Sequence, residues 1–137
     1  MVSLRSGVNS MKPCILIVDD EADTRKLFRF TLEYGGFAVR EAIDGEDALA
    51  KIESARPDVV LLDVMMPRLD GYEVCKRLRR RPEMANLPII MVSAKTQAEA
   101  VEAGLAMGAT AYLTKPVALD TLIGCVRDSL LSQVAVS

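Results

Sequence analysis

The sequence predicts an α/β fold in which five parallel strands alternate with helices that cover both faces of the sheet, a (βα)5 doubly wound arrangement. Two observations support this prediction. Five short apolar runs recur along the 137-residue chain, and a stretch in which apolar residues have helical spacing follows each run. Strands that are buried on both faces are continuous apolar runs, and their alternation with helices indicates a parallel sheet.

The five predicted strands are short and rich in Val, Ile and Leu. They are Cys14–Val18, Phe37–Ala42, Val59–Leu62, Ile89–Val92 and Ala111–Thr114. Between and after them, apolar residues three and four positions apart predict helix faces. These faces consist of Leu27, Phe28, Thr31 and Leu32; Ala48, Leu49, Ile52 and Ala55; Val74, Cys75 and Leu78; and Leu119, Leu122, Ile123, Val126 and Leu130. The fourth predicted helix, around Gln97–Met107, is rich in Ala and Gly and has a weaker apolar face.

Signals for helix ends agree with these elements. Asp70 with Glu73, and Thr96 with Glu99, have the spacing of a helix-capping pair. The dipeptide at 35–36, Gly-Gly, predicts the end of the first helix.

Composition excludes several classes of function. A net charge of −2 gives no reason to expect attraction to nucleic acid, and the apolar runs are far shorter than the roughly 18 residues of a membrane span. Met1 to Ser10 has no apolar stretch of signal-peptide length, so we expect a cytoplasmic protein without a membrane partner. The chain contains no histidine, so any phosphohistidine donor must be another protein.

Polar residues follow four of the predicted strands. Asp19 and Asp20 come after the first strand, Asp63 after the third, Ser93 after the fourth and Lys115 after the fifth. The carboxyl ends of parallel strands meet at one edge of the sheet, which is where open α/β sheets bind ligands. We therefore expect these five side chains to lie together.

The chemistry of this set favours phosphoryl transfer. Crowded carboxylates repel one another unless a cation joins them, and Mg²⁺ prefers oxygen ligands of this kind. A carboxylate can act as a nucleophile and form an aspartyl phosphate. Lys115 offers a positive charge to phosphoryl oxygens, and the Ser93 hydroxyl offers a hydrogen bond.

Four segments resemble bacterial response-regulator receiver domains. They are Ile15–Glu21, Leu61–Pro67 with Asp70-Gly71, Ser93-Ala94, and Lys115-Pro116. The resemblance covers about residues 12–133, which leaves an N-terminal extension at 1–11 and a C-terminal tail at 134–137. It implies the flavodoxin-like strand order 2-1-3-4-5.

The resemblance also implies a metal site around a phosphoacceptor. Asp63 accepts the phosphoryl group, and Asp20 binds Mg²⁺ directly. Asp19 supports the metal directly or through water, and the backbone carbonyl of Met65 supplies a further ligand. Mn²⁺ is a possible substitute for Mg²⁺.

A switch pair and an invariant lysine of the same family also have matches in this sequence. Ser93 and Tyr112 match its switch pair, and Lys115 matches its invariant lysine, which precedes a proline in a cis peptide bond. Phosphorylation is then expected to change the surface formed by the fourth helix, the fifth strand and the fifth helix.

The expected partners follow from the resemblance. A histidine kinase or a histidine phosphotransfer protein would be the phosphoryl donor, and a downstream protein or output domain would read the switched surface. A phosphorylation-dependent homodimer is possible. The chain would not be an enzyme with a separate substrate, but would catalyse its own phosphorylation and slow dephosphorylation.

Two alternatives stay open at this point. A haloacid-dehalogenase-type phosphatase also uses an Asp after its first strand, here Asp19, but needs a second Asp where this chain has Glu21. A receiver-like docking module that is never phosphorylated is the other alternative. Such modules usually lose acidic or lysine positions, which this chain keeps.

Overall fold

A computed structural model describes residues 12–136 of the chain, with side chains through residue 132. Within this range five strands form one sheet in the order β2-β1-β3-β4-β5, and every neighbouring pair is parallel. The elements are β1 (Cys14–Val18), α1 (Ala22–Tyr34), β2 (Ala38–Ala42), α2 (Gly45–Ser54), β3 (Val59–Asp63), α3 (Gly71–Arg79), a 3-10 turn (Pro82–Met84), β4 (Ile89–Ser93), α4 (Ala98–Ala106), β5 (Ala111–Thr114) and α5 (Leu119–Val136). The predicted fold class and strand order are confirmed.

Apolar side chains form a separate layer on each face of the sheet. On one face α1 and α5 contribute Phe28, Leu32, Leu122 and Val126 to the core. On the other face the contributions come mainly from α2 and α3. Every residue of β3 and β4 is buried, as the continuous apolar runs predict.

Two leucines that the sequence places on buried helix faces are exposed. Leu27 and Leu119 each leave 52% of their surface accessible. The buried residues of α1 are Phe28, Thr31 and Leu32. The helical period places Leu27 near this face, but the packed part of the face begins one residue later.

The strand boundaries differ slightly from the predicted ones. β2 begins at Ala38, because the Phe37 N–H donates to the Leu32 carbonyl at the end of α1, 3.0 Å away. β3 and β4 each extend one residue further than predicted, to Asp63 and Ser93. Asp63 and Ser93 are therefore the last residues of β3 and β4.

Helix ends follow the predicted signals in two of three places. The Asp70 carboxylate accepts a hydrogen bond from the Glu73 N–H and caps α3. α1 ends at the Gly-Gly dipeptide, where Gly36 has a φ of 97°. The predicted Thr96 cap is wrong: the first flanking residue of α4 is Gln97, and no side chain in the described structure caps this helix.

The predicted domain limits stay predictions. Residues 1–11, the predicted extension, lie outside the described residues. α5 continues to Val136, so its backbone passes beyond the boundary that the sequence suggests at residue 133. Among the described residues, no helix combines the length and the apolar character that a membrane span requires.

Candidate functional site

The sheet register brings three carboxylates together at the ends of β1 and β3. Val18 pairs with Leu62, so that Asp19 comes level with Asp63. Asp19, Asp20 and Asp63 each present an oxygen within 4.8 Å of the others. Asp19 and Asp63 are 2% and 6% exposed, whereas Asp20 faces solvent. The cluster is thus a buried pair of carboxylates with a third at its mouth.

The Lys115 ammonium faces the two buried carboxylates. Its Nζ lies 3.2 Å from an Asp19 oxygen and 3.6 Å from an Asp63 oxygen. The residue follows β5 directly, and its peptide bond to Pro116 is cis, as the resemblance implies. Burial acts to lower the pKa of Lys115, but the negative charges of Asp63 and Asp19 outweigh burial and raise it. The lysine is therefore a fixed positive charge at this site.

The surroundings of Asp63 disfavour its ionised form. Burial first, and then the charge of Asp19, raise its pKa from an ordinary value near 3.8 to about 6. Lys115 and the Met65 N–H act in the opposite direction, and that N–H donates to the Asp63 carboxylate over 3.3 Å. A cation beside Asp63 would therefore relieve an unfavourable charge.

The backbone around Asp19 and Asp63 is held by residues to which the sequence assigned no role. The Glu21 N–H donates to the Asp19 carboxylate over 2.9 Å, and Arg25 donates to the Asp19 carbonyl over 2.8 Å. A Cβ at Gly71 would lie 2.5 Å from the Asp63 carbonyl oxygen. The Asp70-Gly71 pair belongs to a segment that resembles receiver domains, but Arg25 had no signal in the sequence because its partner is a backbone atom.

The donor set fits Mg²⁺. Three carboxylates with converging oxygens form a hard, anionic site, which is the type of ligand that Mg²⁺ prefers. The three acidic groups outnumber the single Lys115 ammonium that faces them, so a divalent cation would balance their charge. Met65, the predicted carbonyl ligand, adjoins this cluster through its N–H, and its side chain is 53% exposed.

Ser93 and Tyr112 both form hydrogen bonds with the backbone of Lys95. The buried Ser93 hydroxyl accepts a hydrogen bond from the Lys95 N–H, 3.0 Å away. The Tyr112 hydroxyl donates to the Lys95 carbonyl over 3.2 Å. A Cβ at Gly104 of α4 would lie 2.9 Å from the Tyr112 ring. The backbone of Lys95 thus connects the serine near the acidic cluster with the tyrosine beside α4.

Comparison with known proteins identifies this arrangement with a family. The sequence pattern described as "Response regulator receiver domain" matches residues 15–127. The response regulator MprA of Mycolicibacterium vanbaalenii is 47% identical over 116 residues, which are 85% of this chain and 49% of the relative. MprA of Mycobacterium avium is 46% identical, with 85% and 50% covered. The chain thus spans about half the length of these relatives.

Solved structures show the same fold. A putative response regulator from Chloroflexus aurantiacus superposes with a TM-score of 0.85 at 38% identity, covering 88% of this chain and 98% of that one. The chemotaxis protein CheY4 of Vibrio cholerae gives a TM-score of 0.82 at 37% identity, with 87% and 99% covered.

Proposed function

The chain belongs to the response-regulator receiver-domain family of two-component signalling, and from this premise we propose that Asp63 accepts a phosphoryl group from a phosphohistidine of a partner protein. The observation that supports this proposal most is the position of Asp63. It is a buried carboxylate within reach of two others and 3.6 Å from the Lys115 ammonium. We propose that Asp19, Asp20, Asp63 and the Met65 carbonyl hold Mg²⁺, or Mn²⁺ in its place.

In the proposed reaction an Asp63 oxygen forms a bond to phosphorus while the phosphorus–nitrogen bond of the donor breaks. The electron pair of that bond stays on the imidazole nitrogen. Bound Mg²⁺ would neutralise charge on the phosphoryl oxygens. The Lys115 ammonium attracts the same oxygens, and the Ser93 hydroxyl donates a hydrogen bond to one of them. Asp63 must be ionised to attack, which the nearby Lys115 charge favours.

We further propose that this chemistry switches the surface of α4, β5 and α5. A phosphoryl oxygen would draw the Ser93 hydroxyl and the loop at Lys95 inward. Tyr112 donates to the carbonyl of that loop, so its position would change with the loop. A downstream protein, an output domain or a second copy of the chain would read the changed surface. The chain would act in the cytoplasm, and a histidine kinase or a histidine phosphotransfer protein would be the donor.

Intact-mass measurement tests this function directly. With acetyl phosphate and Mg²⁺, the chain is expected to gain one phosphoryl group, and with EDTA none. Asp63→Asn should abolish the gain. Asp19→Asn should impair it without moving the modification. Labelling lost in Asp19→Asn but retained in Asp63→Asn would instead indicate a phosphatase-type nucleophile, and no labelling of the wild type would indicate a docking module.

A further inference from the structure

Few apolar contacts hold α4. All its residues are described, and Gly104 is the one that is buried. A surface depression of about 520 Å³ lies beside the helix and is lined by Tyr72, Lys95, Ala100 and Ala103, among others. Polar contacts with neighbouring elements therefore contribute a large share of the interaction energy that fixes the position of α4.

Two tyrosines on different elements hold the beginning of this region. Tyr112 of β5 donates to the Lys95 carbonyl, as described above. Tyr72 of α3 donates to the Ala100 carbonyl in the first turn of α4, over 3.1 Å. The Lys95 ammonium also lies 6.0 Å from the centre of the Tyr72 ring. Tyr72 thus contacts both the loop that responds to Ser93 and the helix that follows it.

The opposite end of α4 is also contacted by the same face of α3. Arg79, seven residues after Tyr72, donates from Nε to the Gly108 carbonyl over 2.9 Å. Its Nη1 donates to the Met84 carbonyl over 2.8 Å. Arg79 therefore links the segment that follows α4 to the 3-10 turn, while Tyr72 contacts the first turn of the same helix.

We propose that Tyr72 is a positioning residue that holds the first turn of α4 in its unphosphorylated position. This inference rests on the proposed function. α3 cannot follow an inward movement of the Lys95 loop, because Val74, Cys75 and Leu78 anchor it in the core. The hydrogen bond from Tyr72 to Ala100 is therefore broken when the loop moves. This hydrogen bond stabilises the unphosphorylated arrangement and so opposes the switch. Its loss shifts the equilibrium towards the phosphorylated arrangement by the factor that the bond contributed.

Tyr72→Phe removes this hydroxyl and keeps the ring. Tyr34→Phe is the matched control, because Tyr34 is 84% exposed at the end of α1. A single hydrogen bond of ordinary net strength changes an equilibrium roughly 2- to 10-fold. Without any phosphodonor, amide exchange at 98–104 should accelerate by about that factor in Tyr72→Phe, with α1 and β3 unchanged. The concentration of beryllium fluoride, a phosphoryl mimic, that half-saturates the Mg²⁺-loaded protein should fall correspondingly.

Three results would overturn the role of Tyr72. They are exchange and mimic affinity equal to those of Tyr34→Phe, faster exchange spread evenly over all elements, and a weakened mimic affinity. A wild type that takes neither phosphoryl group nor mimic would overturn the proposed function itself. If the wild type takes up the phosphoryl group and the mimic, and Tyr72→Phe has the same amide exchange and mimic affinity as the wild type, only the role of Tyr72 is overturned.

Discussion

At the scale of single residues, Asp63 combines two opposing requirements. Its carboxylate must be buried to exclude water from the reacting group, and it must be charged to act as a nucleophile. Burial and the Asp19 charge raise its pKa from an ordinary value near 3.8 to about 6. The ionised form therefore costs folding free energy until a cation joins the site.

This cost predicts a pH-dependent effect of Asp63→Asn in the metal-free protein. Near pH 4 the carboxyl is largely protonated in the folded state, and asparagine resembles it closely. Between pH 4 and 6 Asp63 ionises in the unfolded chain before it does in the folded one, so the wild type loses stability relative to Asp63→Asn as the pH rises. Above pH 6 the full cost is present, and Asp63→Asn should be more stable by roughly 1–3 kcal/mol.

Urea unfolding in EDTA at pH 4.5 and pH 7.5 measures this difference. The advantage of Asp63→Asn should be small at the lower pH and full at the higher one. An advantage that is equal at both pH values, or absent at both, would show that the Asp63 charge does not determine stability here.

The acidic residues and Lys115 should separate in their effects on metal binding. Asp20→Ala removes a proposed direct Mg²⁺ ligand. It should weaken Mg²⁺ binding by at least the roughly 10- to 100-fold that loss of an outer-shell partner costs, together with phosphorylation. Lys115→Ala removes a positive charge 3.2 Å from Asp19, so Mg²⁺ binding should persist while the response to phosphorylation is impaired. Calorimetric titration with Mg²⁺ checks both variants. Loss of binding in Lys115→Ala but not in Asp20→Ala would reverse the proposed roles.

At the scale of elements, the junction of β3 and α3 depends on a residue without a side chain. A Cβ at Gly71 would lie 2.5 Å from the Asp63 carbonyl oxygen and 2.8 Å from the Val64 Cα. Both neighbours are backbone atoms and cannot turn aside. We expect Gly71→Ala to lower the free energy of unfolding by about 1–3 kcal/mol and to slow phosphorylation.

Gly124→Ala is the control for this substitution, since no atom of the described residues, apart from its own helix and chain neighbours, lies within 4 Å of a Cβ there. It should be neutral or stabilising by up to about 1 kcal/mol, because alanine favours a helix. Equal stability of Gly71→Ala and Gly124→Ala in urea unfolding would show that the close approach at Gly71 is unimportant.

The elements also show how far the sequence alone can predict this protein. β1, β3 and β4 were predictable because each contains a run of apolar residues, and the acidic cluster because parallel strands end at one edge. The start of α4 was not predictable in this way. The spacing of Thr96 and Glu99 suits a capping pair, but the helix begins one residue later than such a cap would place it. The contact of Tyr72 with Ala100 depends on how α3 packs beside α4, and no local pattern records that packing.

At the scale of the whole molecule, the sheet register places the acidic site next to the strand that leads into the Lys95 loop and α4. Asp63 pairs with Val92, and Ser93 pairs with Thr114, which precedes Lys115. A local change at Asp63 is thereby one strand away from the loop at Lys95. Such an arrangement allows a small charge change to bias a two-state element.

We therefore expect the effect of a phosphoryl mimic with Mg²⁺ to extend beyond the acidic cluster. NMR shifts and amide exchange should change across residues 94–125, which include α4 and β5, and should change little in α2. Changes confined to Asp19, Asp20 and the surroundings of Asp63 would show that the site is not coupled to the α4, β5 and α5 surface.

The most direct test of the central proposal is to locate the phosphoryl group. After reaction with acetyl phosphate and Mg²⁺, borohydride reduction converts an aspartyl phosphate to homoserine, which peptide mass spectrometry then places in the sequence. We predict homoserine at position 63, dependent on Mg²⁺. Homoserine at position 19, or no conversion of any aspartate in a folded sample, would contradict the account.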